Sequence, residues 1–285
     1  LEYAKERLQM RSLAGPVAPE KPADPIIVHP DVRRMLLTAK AFAEGGRMLV
    51  YYLAQLNDTI QRKGDSDAAK EAEVLLSLLT PIAKAFMTET GVESANLGLQ
   101  CFGGHGYIRE YGMEQIVRDA RISTIYEGTT GIQALDLLGR KVLMTQGESL
   151  KVFTKKIHQF CKAEVDNEAM AEFIKPLMAV NKEWGNLTIK LGMAAMKDRN
   201  EVGAASVDYL MYSGYVTKAY FFAKAAKVAQ VALSGVTSEA DFYNAKLFTA
   251  RFFFARLLPR TQTHAIAMLA GADTLQGLDE EHFRF

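Results

Sequence analysis

The residues best suited to chemistry lie between Gln100 and Arg140, in the run QCFGGHGYIREYGMEQIVRDARISTIYEGTTGIQALDLLGR. The carboxylate Glu127 stands there between an apolar-aromatic pair, Ile125-Tyr126, and a glycine, Gly128, followed by Thr129 and Thr130. A carboxylate set in a water-poor wall has its charged form disfavoured, which raises its proton affinity into the range a general base uses. Upstream, Gly103 and Gly104 form a pair, with a third glycine at Gly106. Glycine carries no Cβ, so backbone at such a pair can approach a flat or bulky ligand closely. The same residues admit a plainer reading, a glycine-terminated helix end followed by a glutamate on a solvated loop. Residue types alone leave both open.

The elements that would position these groups are helical. Pro30 suits a first helical turn and Asp31 favours the positive end of the helix dipole. From there Val32, Met35, Leu36, Ala39, Phe42 and Ala43 form an apolar stripe to about Lys63. Gly64 to Asp67 is a turn in which Ser66 or Asp67 can cap the next helix, expected to kink near Pro81 and run to about Phe102. Shorter helices are expected over Glu110–Arg121 and Gly128–Met144, completing a four-helix bundle. Residues 1–13 show apolar positions at helical spacing, and Pro16, Pro19, Pro22 and Pro25 make the following stretch to Pro30 a loop. Beyond Gly147 the pattern predicts helices over about 148–166, 169–198, 201–234 and 239–271. Small residues such as Gly214, Ala219, Ala223 and Ala226 allow their close packing. The fold class is therefore all-α, a four-helix bundle over 1–146 followed by a second helical domain over 147–285.

Composition narrows the function. Lys+Arg of 34 against Asp+Glu of 33 leaves a net charge of +1, so bulk charge recruits neither nucleic acid nor an anionic membrane. Cys101 and Cys161 lack metal spacing and a disulfide framework, which points to a reducing compartment. No apolar run is long enough to span a bilayer.

The run from Gln100 resembles the C-terminal signature of the acyl-CoA dehydrogenases, flavoenzymes that introduce a 2,3-double bond into acyl thioesters. The resemblance rests on Gln100, Gly103-Gly104, Gly106-Tyr107, Arg118-Asp119 and Tyr126-Glu127-Gly128-Thr129. It implies that Glu127 removes the α-proton, that Tyr126, Glu127 and Gly128 line the substrate site, and that FAD is the cofactor. Arg7 would reach the phosphates of FAD. Gln100, Cys101, Phe102, Gly103 and Gly104 would approach its adenine end in a neighbouring subunit, and Thr129 and Thr130 would touch it beside the base. His29 stands where relatives place a cofactor-facing residue, although a histidine before a helix is more often a cap. Gly131 stands where many relatives have glutamine, Gly139 replaces an arginine found in short members of the family, and His105, Arg118 and Asp119 are expected to be structural.

The implied partners are an acyl-CoA substrate, an electron-transfer flavoprotein as acceptor and further copies in a homo-dimer or homo-tetramer, in a bacterial cytoplasm. The helices after 147 resemble an extra C-terminal region of one bacterial branch. Leu1 opens on what reads as the inside of a helix, and the resemblance begins in mid-domain. A C-terminal piece of a longer enzyme, silent when alone, is therefore expected. Two rivals share the signature: an acyl-CoA oxidase, and a helical assembly module without chemistry.

Overall fold

Helical periodicity carries through nearly the whole chain. The computed structural model, which describes residues 1–284, holds no strand among them. No helix among the described residues is long and apolar enough to cross a membrane.

The first helix, α1 (Glu2–Glu6), is shorter than the apolar spacing over 1–13 predicts. The reason is Asp24, which is 0% exposed and draws the chain into turns around its carboxylate. Its oxygens accept the backbone N–H groups of Ser12 (2.9 Å), Val17 (3.0 Å) and Ala18 (2.8 Å), and Arg11 Nη1 donates at 3.2 Å. A buried carboxylate is tolerated only when its lone pairs are satisfied in this way. These bonds, the Ser12 amide foremost, hold its carboxyl well below the usual carboxylate range. The proline-rich loop is thus pinned from within.

The helix α2 (Pro30–Lys63) buries Met35, Thr38, Ala41, Phe42, Gly45 and Leu49, while Ala43, expected on the apolar stripe, faces solvent. The next helix, α3 (Asp67–Phe102), starts where Ser66 Oγ accepts the Ala69 amide at 3.3 Å and runs unbroken through Pro81. A single-turn α4 (Gly104–Tyr107), a 3₁₀ turn (Arg109–Tyr111) and α5 (Met113–Ile122) follow. The left-handed Gly112 (φ 70°) sits between the turn and α5, so the helix begins after Glu110. The short α6 (Thr130–Leu135) passes into a π-helical stretch, Asp136–Leu143, where Met144 N–H reaches back to Gly139 O (2.9 Å). Such widened turns often lie at functional sites.

The remaining helices are α7 (Glu148–Ala163), α8 (Ala171–Ala195), α9 (Asn200–Ser234) and α10 (Ala240–Phe252). Then come a π turn at Phe253–Leu257, α11 (Arg260–Ala267) and α12 (Asp273–Gln276). The pattern predicts one helix over 239–271. It breaks there because Pro259 has no N–H to continue the ladder, and Leu258 N–H bonds to Phe253 O instead (2.8 Å).

Packing separates the chain into two compact units, residues 1–44 with 88–126, and 45–87 with 127 onward. In the first, Tyr3, Phe102, His105 and Tyr111 form an aromatic cluster. In the second, α9 is the axis, buried on every side over 212–223, with α8, α10 and α11 packed against it. Gly214 is required there, because a Cβ would lie 2.2 Å from the ring of Phe86.

Candidate cofactor cleft and catalytic turn

In the first unit the three glycines of the signature play three different parts. The left-handed Gly103 (φ 59°) ends α3, a conformation costly for any residue with a Cβ. Gly104 has open space where a Cβ would stand. Gly106 is held by crowding, since a Cβ would come within 2.4 Å of the Leu99 carbonyl oxygen. Together they turn the chain sharply and leave bare backbone at the mouth of a cleft of about 570 Å³. Arg7, at the end of α1, and Gln100, Cys101, Phe102, Gly103 and Gly104 all line that cleft, as does His29. The structure brings these residues to one cleft.

Several of them are committed locally. The Phe102 ring stacks on Tyr3 at 4.1 Å. Tyr3 Oη lies 2.8 Å from His105 Nδ1, and His105, which also lines the cleft, stacks on Tyr111 at 4.5 Å. Cys101 is a free, buried thiol whose ionisation burial opposes, pushing its pKa up. His29 Nε2 pairs with Gln9 O at 2.8 Å. The open backbone at Gly103 and Gly104 and the Arg7 cation suit an anionic, flat-ended group such as a dinucleotide. The donor set fits FAD.

In the second unit Glu127 stands in the left-handed region (φ 52°) and is followed by left-handed Gly128 (φ 90°). For a glutamate that conformation costs about 1–3 kcal/mol, and it persists only where the surroundings enforce it. Here the enforcement is visible. Gln133 Nε2 donates to Glu127 O at 3.3 Å, and the Lys84 ammonium, from α3, donates to Gly128 O. The positive φ of Gly128 is strained for any residue with a Cβ, and a Cβ there would lie 2.6 Å from the Gln133 amide nitrogen and displace that side chain. Thr129 caps α6 by accepting Ile132 N–H at 3.3 Å.

The expected dry wall is absent around this turn. Glu127 faces solvent, and Ile125 and Tyr126 are 50% and 52% exposed. Among the described residues, neither flanking apolar side chain is buried over the carboxylate. Sequence reasoning missed Lys84, Gln133, Tyr3 and Tyr111. Gln133 could have been found from its place six residues after Glu127 at a helix start. Lys84 carries no local signal, being 44 positions away.

Comparison with known proteins places this geometry. Residues 18–143 match the family described as acyl-CoA dehydrogenase, C-terminal domain, and residues 153–279 match that described as acetyl-CoA dehydrogenase C-terminal like. The chain is 39% identical over 259 residues to 3-methylmercaptopropionyl-CoA dehydrogenase of Ruegeria pomeroyi, covering 90% of this chain and 43% of that protein. It is 35% identical over 294 residues to a broad-specificity linear acyl-CoA dehydrogenase of Mycobacterium tuberculosis, covering 99% and 48%. Its fold is similar to that of Caenorhabditis elegans ACDH-11 in complex with C11-CoA (TM-score 0.69, 19% identity, 92% of this chain and 42% of that one). It is equally similar to a Bacillus anthracis acyl-CoA dehydrogenase complexed with FAD (TM-score 0.69, 18% identity, 94% and 44%). The chain belongs to the acyl-CoA dehydrogenase family and matches the C-terminal half of its relatives. It spans under half the length of the relatives it matches.

Proposed function

We propose that this chain supplies the catalytic base and one end of the flavin site of an FAD-dependent acyl-CoA dehydrogenase acting on a saturated acyl-CoA thioester. The observation that carries the reading is the turn at Glu127, the carboxylate of the signature held in a strained conformation by two side chains from elsewhere in its unit. Strain maintained at one functional-type residue is a mark of positioning.

In this reading Arg7 holds the diphosphate of FAD, Gln100, Cys101, Phe102 and the bare backbone of Gly103 and Gly104 approach the adenine end of the FAD of a neighbouring subunit, and in the other unit Thr129 and Thr130 meet FAD beside the base. When bound, FAD supplies the acceptor for the hydride leaving the β-carbon. Glu127 takes the α-proton onto its carboxylate as the Cα–H bond breaks. Its own backbone N–H is assigned as a donor to the thioester oxygen, stabilising enolate charge as an oxyanion hole does. Tyr126 and Gly128 flank the acyl group. The exposed Glu127 requires walls that this chain does not contribute, and the half of the relatives' length that it does not span is assigned to supply them. The reading also takes an electron-transfer flavoprotein as acceptor and a homo-dimer or homo-tetramer as the working form. It divides the chain at 146/147, a boundary supported by matched spans that end at 143 and resume at 153.

The test is Glu127→Gln in the flavin-loaded enzyme that contains this chain. Flavin and acyl-CoA binding should persist while turnover falls by about a thousandfold, within the range for a general base. Near-normal turnover would remove Glu127 from the role.

A further inference from the structure

We propose that Lys84 is a positioning residue for the Glu127 base, fixing the Glu127–Gly128 turn by holding the Gly128 carbonyl. The inference rests on the reading of Glu127 as base. Both Glu127 and Gly128 occupy the left-handed region, and a glutamate freed from that turn would relax toward the right-handed well, carrying its carboxylate to a new direction. Something outside the turn must therefore oppose relaxation. Helix capping by Thr129 acts only downstream, on the Ile132 amide. The two carbonyls that define the turn are instead tied by side chains, Glu127 O to Gln133 and Gly128 O to Lys84.

Lys84 is the stronger tie for two reasons. Its donor is charged, and charge-assisted bonds are shorter and firmer than neutral ones. It also comes from α3, a helix of 36 residues, whereas Gln133 belongs to the six-residue helix that the turn itself starts. Removing Lys84 should loosen the turn.

Two experiments test this. In the 285-residue chain, exchange of the hydrogen-bonded amides that flank the turn, those of Tyr126, Ile132 and Gln133, should accelerate at least about tenfold in Lys84→Met, as expected for loss of a restraint of roughly 1.4 kcal/mol. Exchange over 212–223 of α9 should stay unchanged, and Lys84→Arg should restore most of the protection. In the flavin-loaded enzyme, Lys84→Met should lower kcat by roughly 10- to 100-fold, the scale of a small misplacement. KM for acyl-CoA should stay within about twofold of the parent. If Lys84→Met fails to fold, Lys84→Gln, which is shorter and uncharged, serves for the same comparisons. Unchanged exchange of the Tyr126, Ile132 and Gln133 amides would overturn the proposal. So would normal kcat in Lys84→Met beside an inactive Glu127→Gln, which leaves the base assignment standing. An active Glu127→Gln would overturn the base assignment, and this proposal with it.

Discussion

Replacing Gly214 by alanine sets two effects of opposite sign against each other. In an open helix, Gly→Ala stabilises by about 1 kcal/mol, because glycine loses more backbone freedom on folding. At Gly214 the new Cβ would lie 2.2 Å from two ring carbons of Phe86, where ordinary contact begins near 3.4 Å. The ring cannot simply retreat. It is fully buried, with Tyr215 edge-on at 4.9 Å and the Lys218 ammonium 4.8 Å from its centroid. Overpacking so confined a ring belongs at the upper end of the usual 1–3 kcal/mol. The net is a loss of about 2 kcal/mol, or a fall in Tm of roughly 4–8 °C for a unit of this size. The assay is thermal unfolding followed by far-ultraviolet circular dichroism. Gly203→Ala, in the same helix with nothing near its Cβ position, provides the control and should raise stability by about 0.5–1 kcal/mol. Adding Phe86→Leu to Gly214→Ala should cost less than the sum of the two changes, since the smaller side chain relieves the clash. A Tm in Gly214→Ala equal to or above the parent would refute the reasoning.

Tyr209→Phe should cost about 1 kcal/mol in denaturant unfolding, because it removes the buried 2.7 Å bond to Thr188 while Thr188 keeps its bond to Trp184 O. Burial opposes ionisation at both thiols, pushing Cys161 up to about 11 and Cys101 upward, so Ellman's reagent at pH 8 should titrate them only after denaturation. Rapid reaction of both in the folded protein would contradict their burial. Asp24 is ionised in a site that depresses its pKa, so its stabilisation is present above the unfolded carboxylate range and is lost as pH falls through the folded value. Asp24→Ala should therefore speed proteolysis between Ser12 and Pro25 at neutral pH, and equal cutting rates would show that the carboxylate does not pin the loop. The 285-residue chain alone should melt cooperatively yet purify colourless and reduce no dye with any acyl-CoA, given a solvent-facing Glu127. A yellow protein with stoichiometric flavin would count against this.

The long helices were legible because their apolar faces repeat without interruption. The bounds of α2 fall where Pro30 and the Gly64 turn put them, and α9 (Asn200–Ser234) lies on the expected span of about 201–234. Interruptions were not legible. The early end of α1 depends on Asp24, a residue in a loop whose amide partners lie up to a dozen positions away, and no periodicity encodes that. The widened turns at 136–143 and 253–257 keep apolar residues at helical spacing, so their pattern is indistinguishable from an α-helix. At the candidate site, the glycines and Glu127 stood out by type and spacing. What surrounds them did not, because Lys84 reaches the turn through the fold, and because the exposure of Ile125 and Tyr126 reverses what apolar neighbours suggest in a linear sequence.

The two compact units are interleaved along the chain, since each takes residues from both sides of the other's segments. Both α2 and α3 begin in one unit and finish in the other. No single scissile bond can therefore liberate either unit as one intact polypeptide. A nick in the Gly64 turn would leave two pieces, each carrying part of both units, and their reassociation would be a complementation reaction governed by concentration. The same weaving makes a genetic excision of residues 45–87 a loss to both units rather than the clean removal of one, because it severs both helical crossings at once.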